Sequence, residues 1–462
     1  MTSTIYNQQT LTPGGDDPSI FDPKEAWYPV FYVEDLDRTK PNSFTLLGED
    51  LVIWWEEKSR SWQVFEDKCP HRLVPLSEGR INEAGLLECP YHGWAFSGSG
   101  NCENIPQQPE GGKAETSARA CVKSMPAKVS QGLLFVYPGT SDRAEKVAVP
   151  IVDAIEEDKQ DWVVLNTFRD LPYDAATLLE NVTDASHVPF THHRTVSNRS
   201  TASSMDLKVI ESNKEGYKGV WEEGPRKGTL GTQYTNFIAP ALIYQDLTSK
   251  QFGRTLTVVY ATPISKGKCR LFARFPFKFA SKIPAFLIKL TPTWYSHLGN
   301  NKVLEDDQIF LHYQERYLAA KGGFENFSKA FYLPTKADAY IFELRNWFNN
   351  YQADPFPGES LPPLLTKEQL LERYHSHTKK CSSCSKALAN IQNLRTFCGI
   401  IAAIAWIVAP FIWFEFGASF GLALSSTIVT LIFALAWFGL GKFEERFYLG
   451  TEIPPRNLPD RK

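Results

Sequence analysis

The chain has 462 residues, 43% of them hydrophobic and 22% charged, with a formal net charge of −3. That length holds two folded domains with further segments, and the hydrophobic share excludes a disordered polymer. The near-neutral balance supplies no basic field for nucleic acid, no Gly-rich nucleotide loop stands out, and eight cysteines without a secreted disulfide pattern fit a reducing compartment.

Residues 1–26 read as a polar arm containing Pro and Gly. Residues 1–9 carry neither an apolar signal core nor a long Arg- and Ser-rich transit segment. Taken as the start of the gene product, they favour a cyanobacterial membrane over a chloroplast envelope as the location. Residues 27–140 read as a β-rich domain, with strands at 44–55 and 62–66 before one informative loop and at 132–137 after another. The loops are Cys69-Pro70-His71 and, seventeen residues on, Cys89-Pro90-Tyr91-His92-Gly93-Trp94. Two Cys and two His so spaced suit a Rieske [2Fe–2S] cluster, in which two thiolates hold one iron and two neutral imidazoles the other. Structural zinc is the competing use, but its common spacings pair Cys with Cys and His with His, whereas each half-site here joins one of each. Pro70 and Pro90 stiffen the turns, and Gly93 admits a close backbone approach.

Residues 141–149 read as a charged linker, and residues 150–370 as a second domain. A strand at 162–168 leads into a helix from about Tyr173 that sets Glu180, Asp184 and His187 on one face, after which Pro189 ends the turn and His192 folds back. Two His with a distant carboxylate make the facial triad of non-haem Fe(II) sites, and an amphipathic helix with an incidental His pair is the plain alternative. Further strands are expected at 256–262 and 269–277. The stretch 275–290 alternates apolar residues with Lys278, Lys282 and Lys289; a membrane-interface segment and a core strand followed by a surface helix both fit it. The chain's 31 Phe and 12 Trp suit a wide apolar cavity, although aromatic residues are more often simply core.

Residues 371–396 read as a linker that carries His375, His377, Cys381 and Cys384. Two apolar stretches follow at 397–414 and 417–441, each near the roughly 20 residues that cross a bilayer, with Glu415 between them. Lys379, Lys380, Lys386 and Arg395 precede this hairpin, and Lys442, Arg446, Arg456, Arg461 and Lys462 follow it. The positive-inside bias therefore keeps both flanks on the cytoplasmic or stromal side. A pair of buried core helices is the alternative, and residues 442–462 form a tail.

The order Cys-x-His…Cys-x-x-His, then Glu-x₃-Asp-x₂-His-x₄-His, resembles the Rieske non-haem iron oxygenases over residues 27–340. The likeness implies an α+β chain: a β-rich Rieske domain, a helix-grip catalytic domain whose antiparallel sheet wraps a long helix near 303–318, and a C-terminal transmembrane helical hairpin. It implies that Cys69, His71, Cys89 and His92 hold the [2Fe–2S] cluster. His187 and His192 would hold a mononuclear Fe(II) with Asp307, which the following Gln314-Glu315-Arg316 favours over Asp306. Asp184 would accept a hydrogen bond from His187 and reach a cluster histidine of an adjacent subunit in a homotrimer.

The hairpin preceded by Cys-x-x-Cys narrows the resemblance to the subgroup of pheophorbide a oxygenase and the chloroplast inner-envelope Rieske proteins. This implies insertion of oxygen from O₂ into a chlorophyll-derived tetrapyrrole. Ferredoxin is the implied electron donor, since no flavin or NAD segment is fused to the chain. Cys381 and Cys384 would be a redox-regulatory dithiol that exchanges with a thioredoxin-like partner. A small zinc site using His375 or His377, and inert thiols, stay open. So do a redox-sensing Rieske membrane subunit without oxygenase activity and an oxygenase of a lipid, carotenoid or phenolic substrate.

Overall fold

The computed structural model describes residues 11–157, 161–250, 253–415 and 420–459. Residues 1–9, Gly417, Arg461, Lys462 and the side chain of Glu415, all used in the sequence reading, lie outside that description. The chain forms two compact units, Met1–Leu290 with Asp307–Leu364, and Thr291–Asp306 with Leu365–Lys462.

In the first unit, the segment expected as one strand at 44–55 is a hairpin of Asn42–Leu46 and Glu49–Glu56. Leu47 and Gly48 reverse the chain with φ of 53° and 78°, the left-handed pair that a tight two-residue turn requires. Ser61–Glu66 pairs alongside. Val52, Trp54, Phe65, Leu76, Leu87 and Phe96 form one buried cluster that also holds Cys69 and Cys89, so both cysteines stand on a packed core. Tyr28–Tyr32 pairs with Leu133–Val136 in a separate three-stranded sheet.

The larger sheet has seven antiparallel strands. Six run as a meander through Leu207–Asn213, Gly216–Trp221, Gln233–Ile238, Leu242–Ser249, Gly253–Ser265 and Lys268–Lys278. Val163–Leu171 then closes against the last of them, with Val163 opposite Phe277 and Leu171 opposite Cys269. Helices Ala175–Thr183 and Ala339–Asn350 pack on this sheet.

The cluster-bearing and sheet-bearing parts of this unit are joined by buried polar contacts. Arg270 donates to Asp170 at 2.6 Å and to the Val30 carbonyl at 3.1 Å, and the Thr262 hydroxyl donates to the Pro29 carbonyl at 2.6 Å. Residues 11–26 are not a free arm. Phe21 is fully buried, meets Trp347 edge-on at 5.2 Å and donates its N–H to the Tyr351 carbonyl, because one large aromatic outweighs its polar neighbours. The expected linker at 141–149 contains a helical turn, Ser141–Ala144, and Val147 bridges to Leu11.

The strand expected from 269 ends at Lys278, and the separate helix Lys282–Leu290 buries none of its residues. Ile283, Phe286, Leu287 and Leu290 are all exposed on it.

The second unit contains the start of helix Thr293–Ala320 and two long helices, Ser382–Glu415 and Phe420–Glu444. The expected linker at 371–396 is structured: a π-helical turn, Tyr374–Thr378, precedes the first long helix. That helix begins at Ser382 because its opening turns are polar but helix-compatible, and hydropathy registers only the apolar continuation. Both helices are long and apolar enough to cross a membrane, and large residues such as Trp406, Phe411, Leu435 and Phe438 are exposed. They approach closely at Gly399, where a Cβ would lie 3.0 Å from the Trp437 ring. At their polar end Arg395 pairs with Glu444 at 2.9 Å, and Gln392 donates to Glu444 and to the Tyr448 hydroxyl.

Candidate active site

The two Cys/His loops are versions of one turn. Cys69 N–H donates to the Val74 carbonyl at 2.9 Å, and Leu73 N–H returns to the Cys69 carbonyl at 2.8 Å. Cys89 and Trp94, and Gly93 and Cys89, make the matching pairs at 2.8 and 3.1 Å. The fifth residue of each turn is left-handed, Leu73 with φ 59° and Gly93 with φ 74°. A Cβ at Gly93 would sit 3.1 Å from Pro106, so the contact that demands glycine is with that ring. His71 comes two residues after its Cys and His92 three residues after. This offset brings the rings to 4.6 Å, with Trp94 stacked on His71 at 4.7 Å.

The donors fit a binuclear iron–sulfur group. His71 Nδ1 is buried and has no hydrogen-bond partner among the described residues. Burial pushes the Cys69 thiol up to about 12, so a bound cation is needed to make it a thiolate at neutral pH. Loss of solvent, then the charges of His71 and Arg72, hold His92 below its ordinary range and favour the neutral ring that ligates metal. No three of these four donors gather around one point, in contrast to the sets described next.

His187, His192 and Asp307 do gather. His187 Nε2 lies 3.8 Å from Asp307 Oδ1 and His192 Nε2 lies 3.3 Å from Asp307 Oδ2, with the two rings 5.2 Å apart. The backbone that achieves this differs from the expected continuous helix. Ala175–Thr183 ends at Asp184, which is extended, and Asp184 Oδ1 accepts from Ser186 N–H at 2.8 Å and Oγ at 2.6 Å. This local side-chain turn competes with the helix ladder. His187 then caps a new short helix, Val188–Thr191, so Pro189 opens a turn instead of ending one. The two histidines flank that short helix.

The expected hydrogen bond from His187 to the Asp184 carboxylate is also different. Nδ1 lies 2.5 Å from the Asp184 main-chain carbonyl and 3.7 Å from its carboxylate. The adjacent His193 is tied to Arg199 N–H through Nδ1 at 3.3 Å. Asp306 lies in the other unit, where Arg456 donates to its carbonyl at 2.6 Å.

Glu180 shares a helix with this site but is not gathered with its donors. Arg345 forms a buried ion pair with it, and Gln314 donates to its Oε1 at 3.2 Å. Burial raises the Glu180 carboxyl despite Arg345, whose guanidinium packs over Phe324 and Phe331 at 4.4 and 4.6 Å. Glu315 Oε1 accepts from Asp174 N–H and Thr177 Oγ1, both at 2.8 Å, which fastens the first turn of the ligand helix. Burial, then the Asp174 charge, pushes Glu315 up to about 7. Gln314-Glu315-Arg316 thus positions the segment that carries Asp307, a task that its spacing alone did not reveal. Glu180, Asp184, His187, Phe310, Leu311 and Ile341 are among the residues lining a cavity of about 420 Å³.

In the second unit Cys381 and Cys384 are buried with His297 and His377, whereas His375 is exposed and contacts Glu372.

A Rieske [2Fe-2S] domain profile matches residues 26–126, and a Pheophorbide a oxygenase profile matches residues 237–324. Pheophorbide a oxygenase, chloroplastic, of Arabidopsis thaliana is 37% identical over 427 residues, covering 85% of this chain and 78% of the relative. The chain belongs to the pheophorbide a oxygenase family. Flavonoid 8-hydroxylase 2, chloroplastic, of Ocimum basilicum is 35% identical over 403 residues, 80% of this chain and 74% of that protein. Among solved structures, dicamba monooxygenase bound to dicamba is 20% identical with a TM-score of 0.57, covering 71% of this chain and 98% of that one, a likeness of fold. As a member of this family the chain is a Rieske non-haem iron oxygenase with a [2Fe–2S] cluster and a mononuclear iron, using O₂ and a ferredoxin-type donor.

Proposed function

We propose that this chain inserts oxygen from O₂ into a chlorophyll-derived tetrapyrrole of the pheophorbide a class. The observation that carries this reading is the convergence of two imidazoles and one carboxylate beside a cavity of about 420 Å³, in a chain 37% identical to a pheophorbide a oxygenase. That volume lies within the roughly 300–1,000 Å³ of ordinary ligand pockets.

Cys69, His71, Cys89 and His92 would hold the cluster, and His187, His192 and Asp307 the iron. Bound there, the cluster supplies single electrons and the iron supplies O₂ activation beside substrate. His187 keeps its proton on Nδ1 against the Asp184 carbonyl, which turns the lone pair of Nε2 towards Asp307. Phe310, Leu311, Phe331, Leu333 and Ile341 give the cavity apolar walls that shed water and suit a flat macrocycle. Glu180 also lines the cavity, and Arg345 compensates its charge.

In this reading Asp184 receives a cluster imidazole from an adjacent subunit of a homotrimer and completes the route between the metals. Its carboxylate is partly exposed, and Leu73 and Tyr91 are exposed apolar residues of the two cluster turns that such docking would cover. Membrane anchorage through the two long helices is part of the proposal. The exposed apolar face of Lys282–Leu290 supports an interfacial position for that helix.

Aerobic turnover of the full-length protein with ¹⁸O₂, reduced ferredoxin and pheophorbide a tests the reading. Label in the oxygenated product is expected, and unlabelled product with every tetrapyrrole tried rejects it. A phenolic substrate is the second reading, favoured by the flavonoid hydroxylase likeness. Soret shifts on mixing with pheophorbide a separate the two, since they arise only if the macrocycle enters the site. Three irons per chain separate an oxygenase from a redox-sensing subunit, which would hold two.

A further inference from the structure

The second unit gathers four buried donors that the oxygenase chemistry does not use. The π-helical turn Tyr374–Thr378 ends just before the first long helix, and Cys381 N–H bonds back to the His377 carbonyl at 3.0 Å. His377, Cys381 and Cys384 are therefore spaced by four and three residues and share one face of the chain. The fourth donor comes from His297, in the opening turns of Thr293–Ala320. All four residues are buried, and their donor atoms lie within 4.8 Å of one another.

We infer that His297, His377, Cys381 and Cys384 form a structural site for a single zinc ion. With zinc bonds of about 2.3 Å to sulfur and about 2.0 Å to nitrogen, a tetrahedron has N···N edges of about 3.3 Å and N···S edges of about 3.5 Å. Here His297 Nδ1 is 3.2 Å from His377 Nε2 and 3.4 Å from each sulfur, and Cys384 Sγ is 3.3 Å from His377 Nε2. The edges fall within a few tenths of an ångström of that cage. They are too short to enclose two bridged irons. Four protein donors close the coordination shell, which marks a structural site and leaves no position for substrate.

The electrostatics agree. Binding releases one proton from each thiol to solvent, and two thiolates with one divalent cation make a neutral core that can be buried without an uncompensated charge. Lone pairs on His297 Nδ1 and His377 Nε2 put the ring protons on His297 Nε2 and His377 Nδ1. As a redox dithiol the same pair is poorly placed. Cys381 is 2% exposed and Cys384 1% exposed, so a thioredoxin-like thiolate cannot reach either sulfur without local opening. The ion would tie the start of the first long helix to the segment before Asp306. Arg373 and Glu305 already join neighbouring parts of those stretches through paired buried bonds of 2.7 and 2.6 Å. Metal binding at such a clip contributes directly to the stability of the unit.

Elemental analysis of the full-length protein, purified in detergent without chelator, should find one zinc per chain beside the iron. Zinc K-edge absorption should show two sulfur and two nitrogen neighbours. Cys384→Ser and His297→Ala should abolish the zinc while the cluster absorption persists, and His375→Ala should retain it. Should the first two variants not fold, wild-type protein treated with a mercurial must release one zinc to a colorimetric chelator. Intact protein without zinc, zinc unchanged in Cys384→Ser, iron at the Cys₂His₂ position, or a Cys381–Cys384 disulfide in the purified protein would each overturn the inference. None of these readings depends on the substrate, so a failed tetrapyrrole assay leaves the zinc result separately legible.

Discussion

His187 points Nδ1 at the main-chain carbonyl of Asp184, 2.5 Å away, while the carboxylate of the same residue stands at 3.7 Å. The ring orientation therefore depends on backbone, while the Asp184 carboxylate takes Ser186 through Oδ1 and leaves Oδ2 for another task. Asp184→Asn, which retains the Oδ1 acceptor for Ser186, should keep the mononuclear iron and the cluster at full occupancy. Turnover should fall by about 10–100-fold, the usual cost of losing a metal-supporting partner. Iron analysis with stopped-flow reoxidation of the reduced cluster checks this, and loss of iron in Asp184→Asn would show that the carboxylate charge holds the site together.

Asp307 and Asp306 are adjacent, but only Asp307 stands at the two imidazoles, while Asp306 takes Arg456. Asp307→Ala should lower the iron content from three to two per chain with the Rieske spectrum intact. Asp306→Asn should leave three. The pair of variants decides the third ligand without an activity assay.

Glu180, which lines the cavity, and Arg345 are both buried and form an ion pair. Removing one member strands a buried charge, so Arg345→Met should cost about 3–5 kcal/mol. The double change Glu180→Gln with Arg345→Met should recover most of that loss. Thermal unfolding of Glu180→Gln, Arg345→Met and the double variant provides the cycle, and additive losses would mean that the two groups do not compensate each other.

Glu315 is pushed from its ordinary 4.5 to about 7, so the folded state binds its proton more tightly than the unfolded chain does. Its contribution is full below about pH 4.5, is lost as pH rises to about 7, and is constant above that. Glu315→Gln keeps an acceptor for Asp174 and Thr177 but has no charge to bury. It should flatten the fall in stability across this window and be more stable than wild type at pH 8 by up to about 3 kcal/mol. Denaturant unfolding at pH 5 and pH 8 measures the difference.

The cluster turns were legible because each is closed by residues within six positions, so spacing carries the geometry. The iron-site helix was legible only as far as Thr183. Helical periodicity runs on past Asp184, but the Asp184 side chain bonding to Ser186 breaks the ladder, and periodicity does not register that bond. Arg345 and Glu315 were not recognised as supports because their partners lie far off in sequence, on elements whose packing order no local pattern encodes. His297 was missed for the same reason, being 80 residues from His377. A histidine in a mostly polar helix start gives no sign of its partners. The burial of Phe21 was not legible because composition averaged over residues 1–26 dilutes one anchoring ring.

That ring has a consequence for how the molecule is made. Trp347 leaves the ribosome roughly 330 residues after Phe21, which at elongation speeds of about 5–20 residues per second is roughly a quarter of a minute to a minute. Until then the aromatic seat of Phe21 does not exist, and the first strand, Tyr28–Tyr32, waits for its own partner near residue 133. The nascent protein must therefore carry its leading segment undocked through most of translation, a window in which a chaperone that shields a short aromatic stretch would raise the yield of mature enzyme.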